Sequence, residues 1–334
     1  MYGDKIIDVH SHVYTKGFLR ELEKRTEFPM LRSDSAGHRV IHFRQGVSNP
    51  VPESFFDIDH RLAQMKLHGV STQVISGTNP WTDSFPSGEL ASTFSKLAND
   101  DISTIVAESK GRFFGLATLP LLSPDEAARE LERAVDELGL CGAIIGTNVA
   151  GAYVSEEKFH PIFDVASRKR CLIFLHPTNP LGAESLKENG MSRSIGFAFE
   201  TTACLVKMAY SGIFDKFPNL KILAAHLAGT LPYLQGRIET AWRNFSDSKG
   251  KLNEPPSAKI RKAVYADTIS YNPSVIRLAS EFFGIEKLLF GTDYPFDWGV
   301  KEARESVEAT FKKAAELQSI YSDNFQRILT DLNQ

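Results

Sequence analysis

The segment Ile6-Ile7-Asp8-Val9-His10-Ser11-His12 joins a short β-branched apolar run to two histidines spaced i, i+2. A run that is apolar at successive positions, rather than at alternate ones, marks a parallel strand covered on both faces. The same pattern recurs down the chain. With Lys5–Val9 as the first, apolar runs bounded by turn residues follow at Thr72–Ser76, Gly115–Leu119, Gly142–Ile145, Cys171–Leu175, Lys221–Ala225, Ala263–Ala266 and Lys287–Phe290, eight in all. Stretches of helical period lie between them, at Ala91–Glu108, Ser123–Leu138, Glu157–Arg170, Thr202–Phe214, Pro273–Phe283 and Glu302–Leu317. In the clearest of these, Ser123 is expected to cap, Pro124 suits the first turn, and Asp125 and Glu126 favour the positive end of the helix dipole. Ala127, Leu131, Ala134, Val135 and Leu138 then form one apolar stripe.

Strands alternating with helices call for a parallel sheet, and eight of them predict an α/β fold closed into a (β/α)8, TIM-like barrel. Such a barrel needs about 250 residues, and the surplus in this chain of 334 lies between His12 and Thr72. That insertion, about residues 14–58, contains Arg32–Gly37 and Gln45–Pro52, both rich in small and turn-forming residues. It reads as an excursion over the barrel mouth within a single domain spanning 1–334, since its apolar periodicity is too weak to build a core of its own.

Composition narrows the function. Hydrophobic residues make up 42% of the chain, enough for one large core. Lys and Arg number 38 against 41 Asp and Glu, a formal net charge of -3, so no overall positive field favours nucleic acid or an anionic membrane. No run approaches the roughly 18 to 20 apolar residues of a membrane-spanning helix, and Met1–Asp8 lacks the apolar stretch of a secretory signal, so the expected location is cytoplasmic. Cys141, Cys171 and Cys204 are too few and too scattered for a disulfide framework or a thiolate metal site, and read as small buried hydrophobes.

In a barrel of this kind the chemistry sits at the carboxyl ends of the strands. The first run ends in His10-Ser11-His12, the fifth in His176, the sixth in His226 and the eighth in Gly291-Thr292-Asp293. Residues i and i+2 of a strand share a face, so His10 and His12 can reach one cation together. Four of the nine histidines thus occupy strand ends. Three imidazoles and one carboxylate, His10, His12, His176 and Asp293, suit a single divalent ion, zinc or alternatively manganese. His226 is left facing the same mouth, with the chemistry to move a proton there. Phe296 and Trp298 after the eighth run, and Trp81 after the second, are candidates to line a planar apolar slot. His38, His42, His60, His68 and His160 fall in loops or helices and are given no role.

Several segments resemble the amidohydrolase superfamily. They are Asp8-Val9-His10-Ser11-His12, Leu175-His176-Pro177, His226 with Gly229, Gly236-Arg237 with Ala241-Trp242-Arg243, and Gly291-Thr292-Asp293-Tyr294-Pro295-Phe296. They are similar in particular to its branch of metal-dependent decarboxylases typified by 2-amino-3-carboxymuconate 6-semialdehyde decarboxylase, over essentially the whole chain. The resemblance implies one metal on His10, His12, His176 and Asp293, a catalytic histidine at His226, and a substrate-carboxylate arginine at Arg237 that is offered to a neighbouring subunit. A homodimer or higher homo-oligomer would follow. Binuclear members of the superfamily bridge their metals with a carboxylated strand-four lysine, whereas the fourth run here ends in Ile145-Gly146-Thr147-Asn148, which favours one metal.

Two departures stand out. The branch's typical H-G-G-G is His226-Leu227-Ala228-Gly229 here, which places a bulkier residue beside the histidine. The muconate-type enzymes carry a carboxylate-gripping arginine in the strand-one loop, and the matching register, Gln45–Val51, has none, leaving Arg44 as the nearest substitute. His176-Pro177-Thr178-Asn179-Pro180-Leu181 also resembles the hydroxybenzoate decarboxylases, so an aromatic acid is as consistent with the sequence as a muconate. The expected activity is therefore non-oxidative decarboxylation of a small unsaturated or aromatic carboxylic acid. Two alternatives use the same scaffold: hydrolysis of a lactone, cyclic amide or ester, with Asp293 taking the proton of an activated water, and a metal- or ligand-binding barrel without turnover.

Overall fold

Buried β-branched runs pair with one another because each leaves a row of backbone donors and acceptors that only another strand can satisfy away from water. The computed structural model describes residues 5–45, 47–78, 82–248, 252–296 and 300–332. In it, strand one (Ile7–His12) pairs in parallel with strand two (Thr72–Ser76), which pairs with Phe113–Gly115. Strand three continues as Ala117–Thr118, which pairs with strand four (Gly142–Gly146). Strands five (Leu172–His176), six (Lys221–Ala224), seven (Val264–Asp267) and eight (Leu288–Leu289) follow in order, each parallel to the last. The ring closes between the two ends of the chain. Val9 N–H donates to the Phe290 carbonyl (2.8 Å), Asp293 N–H to His10 (2.9 Å) and His12 N–H to Tyr294 (2.7 Å). This is the expected barrel.

The helices follow the strands in turn: Ile58–His68, Gly88–Glu108, Pro124–Asp136, His160–Lys169, Phe197–Tyr210, Leu231–Asn244, Pro273–Phe283 and Val300–Thr310. Their apolar faces and the outward faces of the strands form the larger core, while Val9, Val74, Leu116, Ile144, Phe174, Leu223 and Leu289 pack in a second, inner cluster. Phe325 and Ile328 of the terminal helix Asn324–Leu332 join the inner cluster. All three cysteines are buried and unpaired. Among the described residues no helix is long and apolar enough to cross a membrane.

Two local expectations are corrected. Ser123 stands at the N-cap position of Pro124–Asp136 but makes no capping hydrogen bond; its hydroxyl faces Gly88, where a Cβ would lie within 2.4 Å of Oγ. The stretch Thr202–Phe214 is not one helix, because Gly212 enters the left-handed region (φ 80) and separates Phe197–Tyr210 from Ile213–Lys216. The insertion packs against the barrel's second helix without a core of its own. It holds the helix Lys16–Lys24 and a three-stranded antiparallel sheet of Met30–Ser33, Arg39–Arg44 and Val47–Pro50. Leu31 and Ile41 face each other across that ladder and join Tyr14, Phe18, Leu22 and Phe55 in a cluster completed by Phe85, Phe94 and Ala98. The insertion borrows its core from the helix Gly88–Glu108, so its own periodicity is sparse.

Gly142 starts strand four where a Cβ would sit 1.8 Å from the Leu172 carbonyl oxygen of the neighbouring strand. Rigid backbone on both sides cannot yield cheaply. Gly142→Ala should therefore lower the unfolding free energy by about 3 kcal/mol or more. Denaturant titration reads this directly, and an unchanged midpoint would contradict the strand-to-strand packing described.

Candidate metal centre

Strand ends bring the five sequence-nominated side chains to one point. Imidazole nitrogens of His10, His176 and His226 and a carboxylate oxygen of Asp293 all lie within 4.8 Å of one another. His12 belongs to the same group: its Nε2 is 3.1 Å from His10 Nε2 and 3.2 Å from Asp293 Oδ1. His10 Nε2 is 3.1 Å and His226 Nε2 3.5 Å from the Asp293 carboxylate. Spacing alone had set His226 apart from the donors, whereas in space it stands beside them.

The second nitrogen of each ring decides what the first can do. His10 Nδ1 meets Asp267 Oδ2 at 2.7 Å, His12 Nδ1 meets the Gly77 carbonyl at 3.2 Å, and His176 Nδ1 meets the Pro177 carbonyl at 3.2 Å. Oxygen acceptors at Nδ1 fix the proton there, which turns three Nε2 lone pairs on one point. Asp293 Oδ1 is buried and takes no hydrogen bond among the described residues, although two of those nitrogens face it. Imidazole nitrogens and a carboxylate oxygen converging on one point are what a divalent cation resolves, and three nitrogens with one oxygen are a donor set for zinc or manganese chemistry. The residues present therefore fit a single divalent metal ion.

Electrostatics agrees with this reading. Burial lowers the pKa of His12, and burial with the neighbouring imidazoles drives that of His176 well below the ordinary value, so both rings are neutral. Burial acts on His10 in the same sense but is overridden by Asp293 and Asp267, which hold its pKa well above the ordinary value. Burial would raise the pKa of Asp293, yet His10 and the other rings keep it ionised.

Asp267, at the end of strand seven, was not singled out from the sequence. Besides His10 it accepts the backbone N–H groups of His226 (2.9 Å), Leu227 (2.8 Å) and Ile269 (3.0 Å). One carboxylate thus orients a metal donor and also anchors the turn that carries His226. That turn needs anchoring. His226, Leu227 and Ala228 have φ of 54, 56 and 59, and Asp293 has φ of 62, conformations that cost non-glycine residues about 1–3 kcal/mol each. At positions where the resembling branch has glycines, this chain holds Leu227 and Ala228 in left-handed conformations. Gly229 is retained where a Cβ would lie 2.0 Å from the Ala198 carbonyl oxygen. The signal for Asp267 was its place immediately after the apolar run Ala263–Ala266.

The cluster opens into a cavity of about 430 Å³ lined by His176, His226 and Asp293 together with Phe197, Leu227, Ile269, Tyr271, Val275 and Phe296. Phe296 stands where expected, its ring 5.8 Å from that of His12. Phe197 stacks on His226 at 6.1 Å. Arg44 is exposed at the end of its strand and does not line this cavity. Arg237 is exposed on the helix Leu231–Asn244, in a separate groove with Gly236, Thr240, Ala241, Asn244 and Phe245. Trp81 and Trp298 lie outside the described residues. Arg193 and Asn49, which do line the cavity, were not anticipated.

Because the metal-free cluster carries a proton on His10 at neutral pH, a cation must displace it. Below the His10 pKa, cation affinity should rise by about tenfold for each unit by which the pH is raised, with about one proton released on binding. Titration calorimetry in buffers of different ionisation enthalpy measures that release, and a pH-independent affinity would count against the arrangement. Asp267→Ala should weaken the cation by about 10- to 100-fold.

Comparison with known proteins places this geometry. The chain is 26% identical over 305 residues to 2-amino-3-carboxymuconate-6-semialdehyde decarboxylase of Dictyostelium discoideum, covering 91% of this chain and 85% of that one. It is 31% identical over 315 residues to gamma-resorcylate decarboxylase of Rhodococcus jostii, covering 86% and 91%. A dihydroxybenzoic acid decarboxylase from Polaromonas sp. JS666, solved with bound manganese and the inhibitor 2-nitroresorcinol, superposes with a TM-score of 0.81 at 26% identity over 99% of this chain and 98% of that one. The profile of the Amidohydrolase family matches residues 7–329, and the chain belongs to that family.

Proposed function

We propose that this protein is a metal-dependent decarboxylase that removes carbon dioxide from an aromatic or unsaturated carboxylic acid without oxidation. The observation that carries the reading is the convergence of tied imidazoles and the Asp293 carboxylate on one point, at the floor of a cavity walled by aromatic and aliphatic side chains. The similar proteins are decarboxylases, which favours this reaction over hydrolysis on the same scaffold.

His10, His12, His176 and Asp293 would hold the metal. When bound, the ion supplies a Lewis acid that orients the substrate's oxygens and draws charge from them. Manganese is the ion in the Polaromonas relative, and the nitrogen-rich donor set here suits zinc as well. The remaining work belongs to the chain. His226 keeps Nε2 toward Asp293 Oδ2, and its Nδ1 is without a hydrogen-bond partner among the described residues. That ring is the group placed to deliver a proton to the carbon that loses its carboxylate. The net change is one proton added at carbon and one carbon dioxide released, with the electron pair of the broken bond taken up by the new C–H bond. Phe197 and Phe296 bracket a flat substrate, and Leu227 narrows the side on which the branch has glycine. Exclusion of water by these walls strengthens every charge interaction inside.

The substrate is a small carboxylic acid, of hydroxybenzoate or carboxymuconate type. The chain would act as a homodimer or higher homo-oligomer in the cytoplasm, with exposed Arg237 presented to a neighbouring subunit.

His226→Asn should keep the metal, measured as metal content per chain, while lowering carbon dioxide release from metal-loaded protein by at least ~100-fold. His176→Ala should instead lose the metal. Near-normal turnover by His226→Asn would remove this histidine from the mechanism.

A further inference from the structure

Among the described residues lining the cavity, Arg193 is the only lysine or arginine. It lies in the π-helical segment Ser192–Gly196, which leads into the helix Phe197–Tyr210, and such segments recur at functional sites. No carboxylate pairs with its guanidinium among the described residues; its side-chain hydrogen bond runs from Nη2 to Asn49 Oδ1 at 3.3 Å. Asn49 comes from the insertion's third strand, so the two excursions meet at this rim of the cavity. A guanidinium steadied by a neutral amide and otherwise unpaired keeps its planar donor fork for an oxygen anion.

Charge bookkeeping points the same way. Of the described groups that face the cavity, Asp293 is the one carboxylate, and it would be occupied by the divalent cation at the floor, while Arg193 is the one basic side chain at the rim. The other polar lining groups there, Asn49, Thr78, Ser194, Ser270 and Tyr271, are neutral. A substrate with two carboxylates can place one at each of these positions. The departing carboxylate is the wrong partner for Arg193, because its negative charge drains into the ring as the bond breaks. A guanidinium on that group would stabilise the ground state more than the transition state.

We propose that Arg193 recognises a second carboxylate that the substrate keeps through the reaction, so that the preferred substrates are dicarboxylic acids. The inference rests on the decarboxylase reading for which carboxylate leaves, and its test is equilibrium binding, which needs no turnover. Calorimetry on the metal-loaded full chain would compare salicylate with hydroxyisophthalate, the same hydroxy acid bearing one more ring carboxylate. The wild type should bind hydroxyisophthalate at least ~10-fold more tightly. Arg193→Met should erase the difference while leaving salicylate affinity within about twofold, and Arg193→Lys should keep part of it, as a point charge without the fork. Unchanged metal content and circular dichroism establish that the variants fold. Equal wild-type affinities, or a loss in Arg193→Met that is the same for both ligands, would overturn the assignment. Carbon dioxide release is scored separately: discrimination in binding without release leaves Arg193 in place and sinks the decarboxylase reading instead.

Discussion

Five polar side chains are pressed together at the mouth of this barrel, and their mutual tolerance is the constraint on which the rest depends. Nε2 of His10, Nε2 of His12 and an ionised oxygen of Asp293 lie little more than 3 Å from one another, with the His176 ring beside them. Left to themselves they forfeit hydrogen bonds that water would have supplied, a loss of about 1–3 kcal/mol for each group left unsatisfied. A divalent cation turns that loss into coordination. The backbone strain at His226 to Ala228 and at Asp293 belongs to the same arrangement, because those residues leave ordinary conformations to aim at this point.

Behind the donors lies a second polar layer that gives them their direction. Asp8, buried between strands one and eight, accepts from the His10 backbone, Gln73 Nε2 and both the backbone and hydroxyl of Thr292, and burial raises its pKa to about 6. Arg61 reaches in from the helix Ile58–His68 to Gln73 Oε1 and the His12 carbonyl, and lies 4.7 Å over the Tyr294 ring. Asp267 does the equivalent work from strand seven. Side chains that are never seen by the substrate therefore set the angles of those that are, the usual division of labour around a metal.

The barrel was legible because its strands are buried on both faces and read as unbroken apolar runs; Thr72–Ser76 and Pro273–Phe283 match the structure residue for residue. The donors were legible because strand ends are where such a fold keeps its chemistry. What escaped were residues whose role depends on tertiary contacts. Arg193 and Asn49 sit in short elements without apolar periodicity and are far apart in the chain, so only folding brings them to one rim. Asp267 looked like an ordinary acidic residue at the end of a short run. The insertion's packing was invisible because part of its apolar cluster, Ala91, Phe94 and Ala98, belongs to another helix.

Closure of the barrel between strands one and eight has a further consequence. His10 and Asp293, which stand near opposite ends of the chain, are hydrogen-bonded neighbours across that seam. An ion shared between them would act as a clasp on a very long loop, where crosslinking removes much freedom from the unfolded chain. A metal held there would thereby become a determinant of the protein's lifetime, with apparent stability tied to the free concentration of the ion.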